Sequence, residues 1–455
     1  MAELTVRPVP AGRVARGRLT PPPSKSVTHR YLALTLLSGA PAVVRRPLLA
    51  EDTRLFLDAL AALGWSVDAS EDEVHLAPTE HAPDRAELFC GNAGTLFRFL
   101  TAILTVLPGE WRLDGTPRLR ERPVGPLVEA LRALGARIAA EGREGHAPLA
   151  IEGGSLAGGR AVLDAGESSQ YLSALLMAGL RAQGATELRV AALTSGPYVE
   201  LTRQAIRRFA AAAVVRDDGG GGADSGPDPV EEVPGGYRIH PTRPVPPPDL
   251  EVEGDFSAAC YPAAAAALTG GRVVLTGLSP SSAQGDRGFF DLLARMGARV
   301  TWEEGRVTVE GTGALEALEV DLSDLPDQVP TLAAMAPFAR GTTHIYNVSH
   351  LRIKESDRLR AMAEGLVRAG VPVREVPDGL VVPGCWADAR AGSAGSEAND
   401  VVLDPADDHR IAMSLALVGL RRRGVALARP EVVAKSYPEF WRDLDRLLAT
   451  QAGEP

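Results

Sequence analysis

Lysine is nearly missing from this chain. Of its 48 basic residues only Lys25, Lys354 and Lys435 are lysines. Arginine supplies positive charge wherever charge alone is required, so a retained lysine points to a position that needs a compact ammonium able to give up a proton. Cysteine is scarce as well. Cys90, Cys260 and Cys385 are odd in number and far apart, which argues against both a disulfide framework and a zinc site. No apolar run reaches the length of a membrane span; the segment from Leu96 to Leu107 is short and contains Arg98. An excess of positive charge is absent too: the formal net charge of −10 speaks against a general binder of nucleic acid or membrane surfaces. The opening Met1-Ala2-Glu3-Leu4-Thr5-Val6 lacks the basic-then-apolar profile of a signal peptide, so the expected location is the cytoplasm.

What is present is a core and a repeat. At 455 residues and 45% apolar content the chain exceeds what one core usually covers, and two domains are expected. The stretch Pro21-Pro22-Pro23-Ser24-Lys25-Ser26-Val27-Thr28-His29-Arg30 leads into the apolar run Tyr31 to Leu37, closed by Ser38-Gly39. That order reads as a capped helix start, a buried body and a glycine stop. Five later segments repeat it, opening at Gly91-Asn92-Ala93-Gly94-Thr95, Glu167-Ser168-Ser169-Gln170, Gly254-Asp255-Phe256-Ser257, Pro326-Asp327-Gln328 and Asp407-Asp408-His409-Arg410. They close at Gly109, Gly179, Gly270, Gly341 and Gly424. After the first helix come a strand (Ala42 to Leu48), a second helix to Leu63, and short strands at Trp65–Val67 and Val74–Leu76. Amphipathic helices recur at Pro126–Gly135, Leu201–Ala211, Phe289–Gly297, Leu359–Gly370 and Phe440–Leu448. Leu4 and Val6, then Val14 and Leu19, read as an opening strand or hairpin.

Each unit mixes helix and sheet, which gives an α/β (α+β) class, and six units with uneven loops suggest two domains of three units each. The stiff Pro244–Pro248 and Pro21–Pro23 mark the crossings, near 244–254 and 21–24. The expected division is 1–23 with 254–455 as one discontinuous domain, and 24–253 as the other. Asp217 to Pro227 is glycine-rich, but no Lys-Ser/Thr pair follows, so it reads as a loop rather than a phosphate cradle; Ala391 to Asn399 reads as another loop.

A capped helix alone is only a capped helix. Six of them carrying extra cations are more, because helix N-termini present unpaired N–H groups and the positive end of the dipole. Lys25, Arg30, Arg122, Lys354, Arg358, Arg410 and Lys435 gather near such starts in an acidic protein, which points to more than one anionic ligand. Lys354 and Arg358 stand four apart, the spacing of one helix face.

With those residues in view the chain resembles the 5-enolpyruvylshikimate-3-phosphate synthase family, the 3-phosphoshikimate 1-carboxyvinyltransferases. The matches are Ser24-Lys25-Ser26-x-x-x-Arg30, Gly91-Asn92-Ala93-Gly94-Thr95, Arg122-Pro123, Ser168-Ser169-Gln170, Ser195-x-x-Tyr198 and Gly254-Asp255-x-Ser257. They continue through Pro326-Asp327, Lys354-Glu355-Ser356-Asp357-Arg358, Asp408-His409-Arg410 and Lys435-Ser436-Tyr437-Pro438. All three lysines fall on matched positions. The resemblance implies two similar domains, each of three βαβαββ units, whose buried, parallel helices aim their N-termini at an interdomain cleft. It also implies transfer of the enolpyruvyl group of phosphoenolpyruvate to the 5-hydroxyl of shikimate 3-phosphate. That step belongs to chorismate and aromatic amino-acid biosynthesis, and the implied enzyme is a monomer without metal or cofactor.

Carried over position by position, Lys25, Ser26, Arg30, Ser168, Ser169, Gln170, Ser195, Tyr198, Asp327, His350 and Lys354 are implied to hold shikimate 3-phosphate. Lys25, Asn92, Gly94, Thr95, Arg122, Gln170, Arg358, His409, Arg410 and Lys435 are implied to hold phosphoenolpyruvate. Asp327 suits a base toward the hydroxyl, Glu355 an acid toward the methylene carbon, and Lys25 the bridging oxygen or leaving phosphate. Among these basic neighbours an acid role for Glu355 requires a proton relay or local desolvation. His350 stands where the family often has Asn, Phe99 where Pro is common, and Ala258 where a second Ser is usual. Gly94 leaves room beside phosphoenolpyruvate, which implies inhibition by the analogue glyphosate. The sister UDP-N-acetylglucosamine enolpyruvyltransferases use a cysteine in a loop of the first domain and an Asn after the first lysine. Asp114 to Arg122 holds no cysteine and Ser26 follows Lys25, against that reading. Intact Lys25, Asp327 and Glu355 stand against an inactive binding protein on the same fold.

Overall fold

A computed structural model describes residues 5–218, 228–389 and 400–449. Leu4, residues 219–227 of the glycine-rich stretch and the 391–399 loop lie outside these. The chain divides into two compact units, Met1–Pro22 with Gly254–Pro455, and Pro23–Glu253. Pro23 therefore joins the continuous unit. The stiff 244–248 stretch also lies inside that unit, where the Val245 N–H donates to the Phe209 carbonyl at 3.2 Å.

One sheet topology recurs through both units. In the continuous unit Arg85–Phe89 runs parallel to Glu110–Asp114, which pairs antiparallel with Leu149–Glu152, whose other neighbour is Arg137–Ala140. Gly159–Ala165, Thr186–Leu193, Gly236–Ile239 and Val230–Val233 repeat that order. The remaining sheet takes its first strand, Leu250–Glu251, from the far end of the unit and lays it parallel to Ala42–Arg45. In the discontinuous unit Arg16–Leu19 plays the same part beside Arg272–Thr276, and Val6–Pro8 pairs antiparallel with Val425–Ala428. Those two pairings are why the N-terminal segment belongs with the second half of the chain.

Parallel neighbours need a crossover, and buried helices supply it. Gly94–Ile103, Ser169–Gly179 and His409–Arg421 are such crossovers, and every residue of the last is buried. A helix that is apolar all round has to sit inside a core. Phe256–Thr269 does so with a run of alanines, Ala263 to Ala267, all fully buried. Lys25–Ser38 ends on Gly39 in the left-handed conformation (φ 61°), as the glycine stop implies.

Several boundaries differ from the sequence expectation. The strand at Ala42 stops at Arg45 because Arg46 takes φ 50°. The helix expected from Leu201 begins at Gly196 and runs to Asp218, so Asp217 and Asp218 are helical rather than loop. The helix after Gly94 stops at Ile103, short of Gly109. Between Pro326 and Gly341 the chain forms a 3-10 turn, Pro326–Gln328, a short helix, Val329–Met335, and another 3-10 turn, Ala336–Phe338. Pro330 and Pro337 break the ladder of backbone donors there.

Candidate active site

In the continuous unit the polar residues cluster around four helix starts. Ser24 caps helix Lys25–Ser38, accepting from the Val27 N–H at 3.5 Å. One residue on, the Lys25 ammonium donates to the buried Asp52 carboxylate at 3.0 Å. Arg30 is buried and held by acceptors from two elements. Its Nη1 donates to the Ser26 carbonyl at 2.8 Å, its Nε to Thr202 Oγ1 at 2.8 Å and its Nη2 to the Tyr198 carbonyl at 2.7 Å. The guanidinium lies over the Phe99 ring, 5.6 Å from its centroid. Burial pulls its pKa down to about 10, which leaves it charged at neutral pH. Phe99, at a position where the resemblance has proline, thus acts as a platform for Arg30.

Ser168 caps the helix Ser169–Gly179, accepting from the Gln170 N–H at 3.3 Å. The Gln170 amide joins two neighbours, donating to Thr95 at 2.8 Å and accepting from Arg98 at 2.6 Å. Ser195 is buried with φ 57°, immediately before the helix that carries Tyr198. Arg122 donates from Nη1 to the Asn92 carbonyl at 3.0 Å and to its side-chain oxygen at 3.4 Å. Asn92 therefore steadies an arginine; the helix start beside it has Ala93 at its cap with no side-chain bond. Gly94 is the first residue of that helix, and a Cβ there would lie 2.4 Å from Arg122 Nη2. The glycine is what lets the guanidinium cross the helix start.

In the discontinuous unit the centre is Arg358, with 2% of its side chain exposed. Its Nε donates to Asp408 Oδ2 at 2.8 Å, its Nη1 to Asp327 Oδ1 at 2.8 Å, and its Nη2 to Glu355 Oε2 at 2.9 Å and Asp408 Oδ1 at 3.4 Å. Burial opposes the charge on this guanidinium, but the carboxylates of Asp408, Glu355 and Asp327 outweigh it and hold its pKa above the ordinary value. Asp408 has three tasks: it caps helix His409–Arg421 through the Arg410 N–H at 2.9 Å, it grips Arg358, and it accepts from Ser356 at 3.2 Å.

The other oxygen of Asp327 pairs with Arg410 Nη2 at 2.8 Å. Burial would raise the Asp327 pKa, yet Arg410, Arg358 and Lys354 together hold it well below the usual carboxylate range, so it stays ionised. His350 is buried, and burial followed by the Lys354 charge lowers its pKa to about 3. Its imidazole is neutral. Lys435 and His409 are buried in the same unit.

Lys354 corrects one expectation. Helix Arg358–Arg368 begins after the Asp357 cap, and Lys354 is extended behind the 3-10 turn Ser349–Ile353. Lys354 and Arg358 therefore do not share a helix face. Asp357 takes the cap because its carboxylate accepts from the Arg360 N–H at 3.1 Å. Three contributors went unassigned in the sequence. Asp52 reads only as an acid in the first turn of helix Glu51–Ala62, and its pairing with Lys25 needs the tertiary fold. Asp408 reads as one more cap. Arg98 did carry a signal: a charged residue in the middle of an apolar helix has to be satisfied inside, here by Gln170, the Pro123 carbonyl at 3.1 Å and the Tyr171 ring at 5.1 Å. Among the described residues no group of three or more His, Cys, Asp or Glu could hold a metal ion. No helix there is long and apolar enough to cross a membrane.

These clusters lie within a stretch, residues 10–444, that matches the sequence model of EPSP synthase (3-phosphoshikimate 1-carboxyvinyltransferase). The chain belongs to the EPSP synthase family. Curated relatives agree. A 3-phosphoshikimate 1-carboxyvinyltransferase of Syntrophobacter fumaroxidans is 42% identical over 437 residues, covering 95% of this chain and 97% of the relative. One from Methanoculleus marisnigri is 40% identical over 427 residues, covering 93% and 94%. The solved EPSP synthase of Acinetobacter baumannii has a TM-score of 0.77 at 28% identity, covering 98% of both chains. The family and the two-domain α+β class implied by the motifs therefore hold for this chain. Phe99 and His350 both have a structural account: a platform under Arg30 and a neutral imidazole whose pKa the Lys354 charge helps to lower.

Proposed function

We propose that the chain transfers the enolpyruvyl group of phosphoenolpyruvate to the 5-hydroxyl of shikimate 3-phosphate and releases phosphate. The observation that carries the reading is the Arg358 cluster. One buried guanidinium holds Asp327 and Glu355, the two carboxylates suited to moving protons, at 2.8 and 2.9 Å.

In the addition step the hydroxyl oxygen bonds to C2 of phosphoenolpyruvate, its proton goes to ionised Asp327, and the methylene carbon takes a proton from Glu355. That yields a tetrahedral intermediate. In the elimination step the C–O bond to phosphate breaks as the Lys25 ammonium gives a proton to the leaving oxygen, the methyl carbon returns its proton to Glu355, and Asp327 releases its proton to solvent while Lys25 takes one up. Asp52 aims Lys25 through their ion pair at 3.0 Å. Ser168, Ser169, Gln170, Ser195, Tyr198, Ser26, Arg30, His350 and Lys354 hold shikimate 3-phosphate. Asn92, Gly94, Thr95, Arg122, Arg410, His409 and Lys435 hold phosphoenolpyruvate. Four hydrogen bonds to carboxylates leave Arg358 one Nη1 hydrogen for that ligand, so most of its work is positioning Asp327 and Glu355. No metal is invoked, and a monomer in the cytoplasm accounts for the reaction.

The deciding experiment is phosphate release from phosphoenolpyruvate with a single acceptor, either shikimate 3-phosphate or UDP-N-acetylglucosamine. Release with the first alone is the expected result. Release with the second alone would transfer the chain to the sister activity, and silence with both would leave a binding protein. In the same assay Asp327→Asn and Glu355→Ala are expected to lose at least about 10²-fold in turnover, the usual weight of one general acid or base. Substrate binding by these variants should stay near the parent's; near-normal turnover in either removes its assigned role.

A further inference from the structure

Arg352 is a charged residue to which the mechanism above gives no task. It sits in the 3-10 turn Ser349–Ile353, directly before the loop that carries Lys354 and Glu355 to the cap of helix Arg358–Arg368. Its guanidinium reaches two separate parts of the chain. On one side Nη1 donates to both oxygens of Asp357, at 3.4 and 3.3 Å. On the other, Nη1 pairs with Glu375, Nη2 donates to the Val376 carbonyl at 2.8 Å, and Nε donates to the Pro377 carbonyl at 3.1 Å. Glu375 to Pro377 form the end of a hairpin, where Arg374–Val376 turns back antiparallel as Gly379–Pro383. The same hairpin end holds the chain just ahead of the 3-10 turn. There the Val348 N–H donates to the Asp378 carbonyl at 2.9 Å and the Asn347 N–H to Asp378 Oδ2 at 3.2 Å.

Residues 354–356 belong to no helix or strand, so side-chain anchors have to fix their course. Arg358 holds Glu355 at 2.9 Å and Asp408 holds Ser356 at 3.2 Å. Arg352 and Asp357 stand at the two ends of the loop, and their ion pair closes it at the base. The Asp357 carboxylate also accepts from the Arg360 N–H at 3.1 Å, which ties that base to the first turn of the helix. A planar guanidinium with fixed donor directions suits this work, because it sets the angle between its partners as well as their distance.

We infer that Arg352 is a positioning residue for the transfer reaction: it clamps the loop of Lys354 and Glu355 between the Asp357 cap and the hairpin end at Glu375–Pro377, and so sets where the proposed acid stands. The inference rests on the roles proposed above for Glu355 and Lys354. Glu375 serves at one remove, by holding Arg352.

The test is steady-state kinetics of the full-length protein carrying Arg352→Met, Glu375→Gln or Asp357→Asn, with each substrate varied against a saturating level of the other. The three side chains are 26%, 29% and 28% exposed, so a charge left without its partner stays hydrated and Tm should remain close to the parent's. Asn still caps a helix, so Asp357→Asn removes the charge at the loop base while keeping the cap. Arg352→Met should lower kcat at least about tenfold, since misplacing a reacting group by about 1 Å can cost about 10²-fold. It should also raise KM for shikimate 3-phosphate through Lys354. KM for phosphoenolpyruvate should stay at the parent value, because Arg122, Arg410 and Lys435 lie outside the loop. Glu375→Gln and Asp357→Asn should move the same constants in the same direction by less. Glu375 discriminates best: among the described residues its side chain bonds to Arg352 alone. A residue that only supports the fold would lower Tm and leave kcat and both KM values as they were, and that result overturns the inference. Parent kinetics in Glu375→Gln overturn it too, as does a parallel rise of both KM values. Crystal structures of the parent and Arg352→Met supply a readout without turnover, the Glu355–Arg358 contact of 2.9 Å. A lengthened or lost contact supports the inference even if the parent proves to use another acceptor; an unchanged contact defeats it while the transferase reading stands.

Discussion

Gly94 and Arg122 show how closely one residue can depend on another. A methyl group at Gly94 would fall 2.4 Å from Arg122 Nη2, so Gly94→Ala has to push the guanidinium away from Asn92. We expect KM for phosphoenolpyruvate to rise about tenfold, a loss near 1.4 kcal/mol, with KM for shikimate 3-phosphate unchanged. An unaltered KM for phosphoenolpyruvate would show that Arg122 adjusts without cost. His29 makes a different point. It is fully buried with both ring nitrogens unpartnered among the described residues, edge-on to Phe56 at 5.5 Å. Burial lowers its pKa to about 3, with Lys25 and Arg30 adding to burial and Asp52 opposing it. The unfolded chain takes a proton on this histidine below about pH 6.5 while the folded chain refuses it. Its contribution to stability is therefore whole above that pH and is lost as pH falls toward 3. His29→Leu should flatten the fall in Tm between pH 7 and pH 5; a parent-like fall would assign the acid sensitivity elsewhere.

At the scale of elements, two caps that look equivalent in sequence carry different loads. Ser24 caps its helix through a long bond from the Val27 N–H, and Ser24→Ala should cost about 1 kcal/mol. Asp408 is wholly buried and joins a helix start to Arg358. Asp408→Ala leaves that guanidinium short of a partner and should cost about 3–5 kcal/mol. Hydrogen exchange along His409–Arg421 checks this, and equal protection in the two variants would contradict it. The elements themselves were largely legible. Buried helices announced themselves as long apolar runs behind polar caps, and the amphipathic ones as Leu-and-Ala periodicity ending in Leu-Gly or Ala-Gly. Two of the misread boundaries share a cause. Arg46, Pro330 and Pro337 act through backbone torsion and missing donors, which an apolar pattern does not register. The Lys354–Arg358 spacing matched a helix, but the Asp357 cap makes Arg358 the first helical residue.

At the scale of the whole molecule, the residues assigned to phosphoenolpyruvate come from both units, Arg122 from one and Arg410 from the other. If both serve one reaction, Arg122→Ala and Arg410→Ala should each raise KM for phosphoenolpyruvate by more than about tenfold. Each should also leave hydrogen exchange in the opposite unit as it was. A large kinetic effect from only one of them would confine the ligand to one unit's residues. The chain's order does not reveal this partition by itself. Val6–Pro8 and Arg16–Leu19 stand more than two hundred residues from the strands they pair with, and pairing at such separation is set by which sheet edge is left open.

The sequence by itself determined the class of fold, the family and four of the six expected helix caps, Ser24, Ser168, Asp255 and Asp408. Those are properties of local pattern: apolar periodicity, cap chemistry, and three lysines kept where arginine serves everywhere else. Only the tertiary structure decided which charges meet. It placed Asp52 on Lys25, gathered Asp327, Glu355 and Asp408 around Arg358, and slid Phe99 beneath Arg30. The physical reason is that most of these interactions join residues far apart in the chain, 27 for Lys25–Asp52, 31 for Arg358–Asp327 and 50 for Arg358–Asp408. Burial and the proximity of other charges, neither of which is written in the spacing of residues, set their strength.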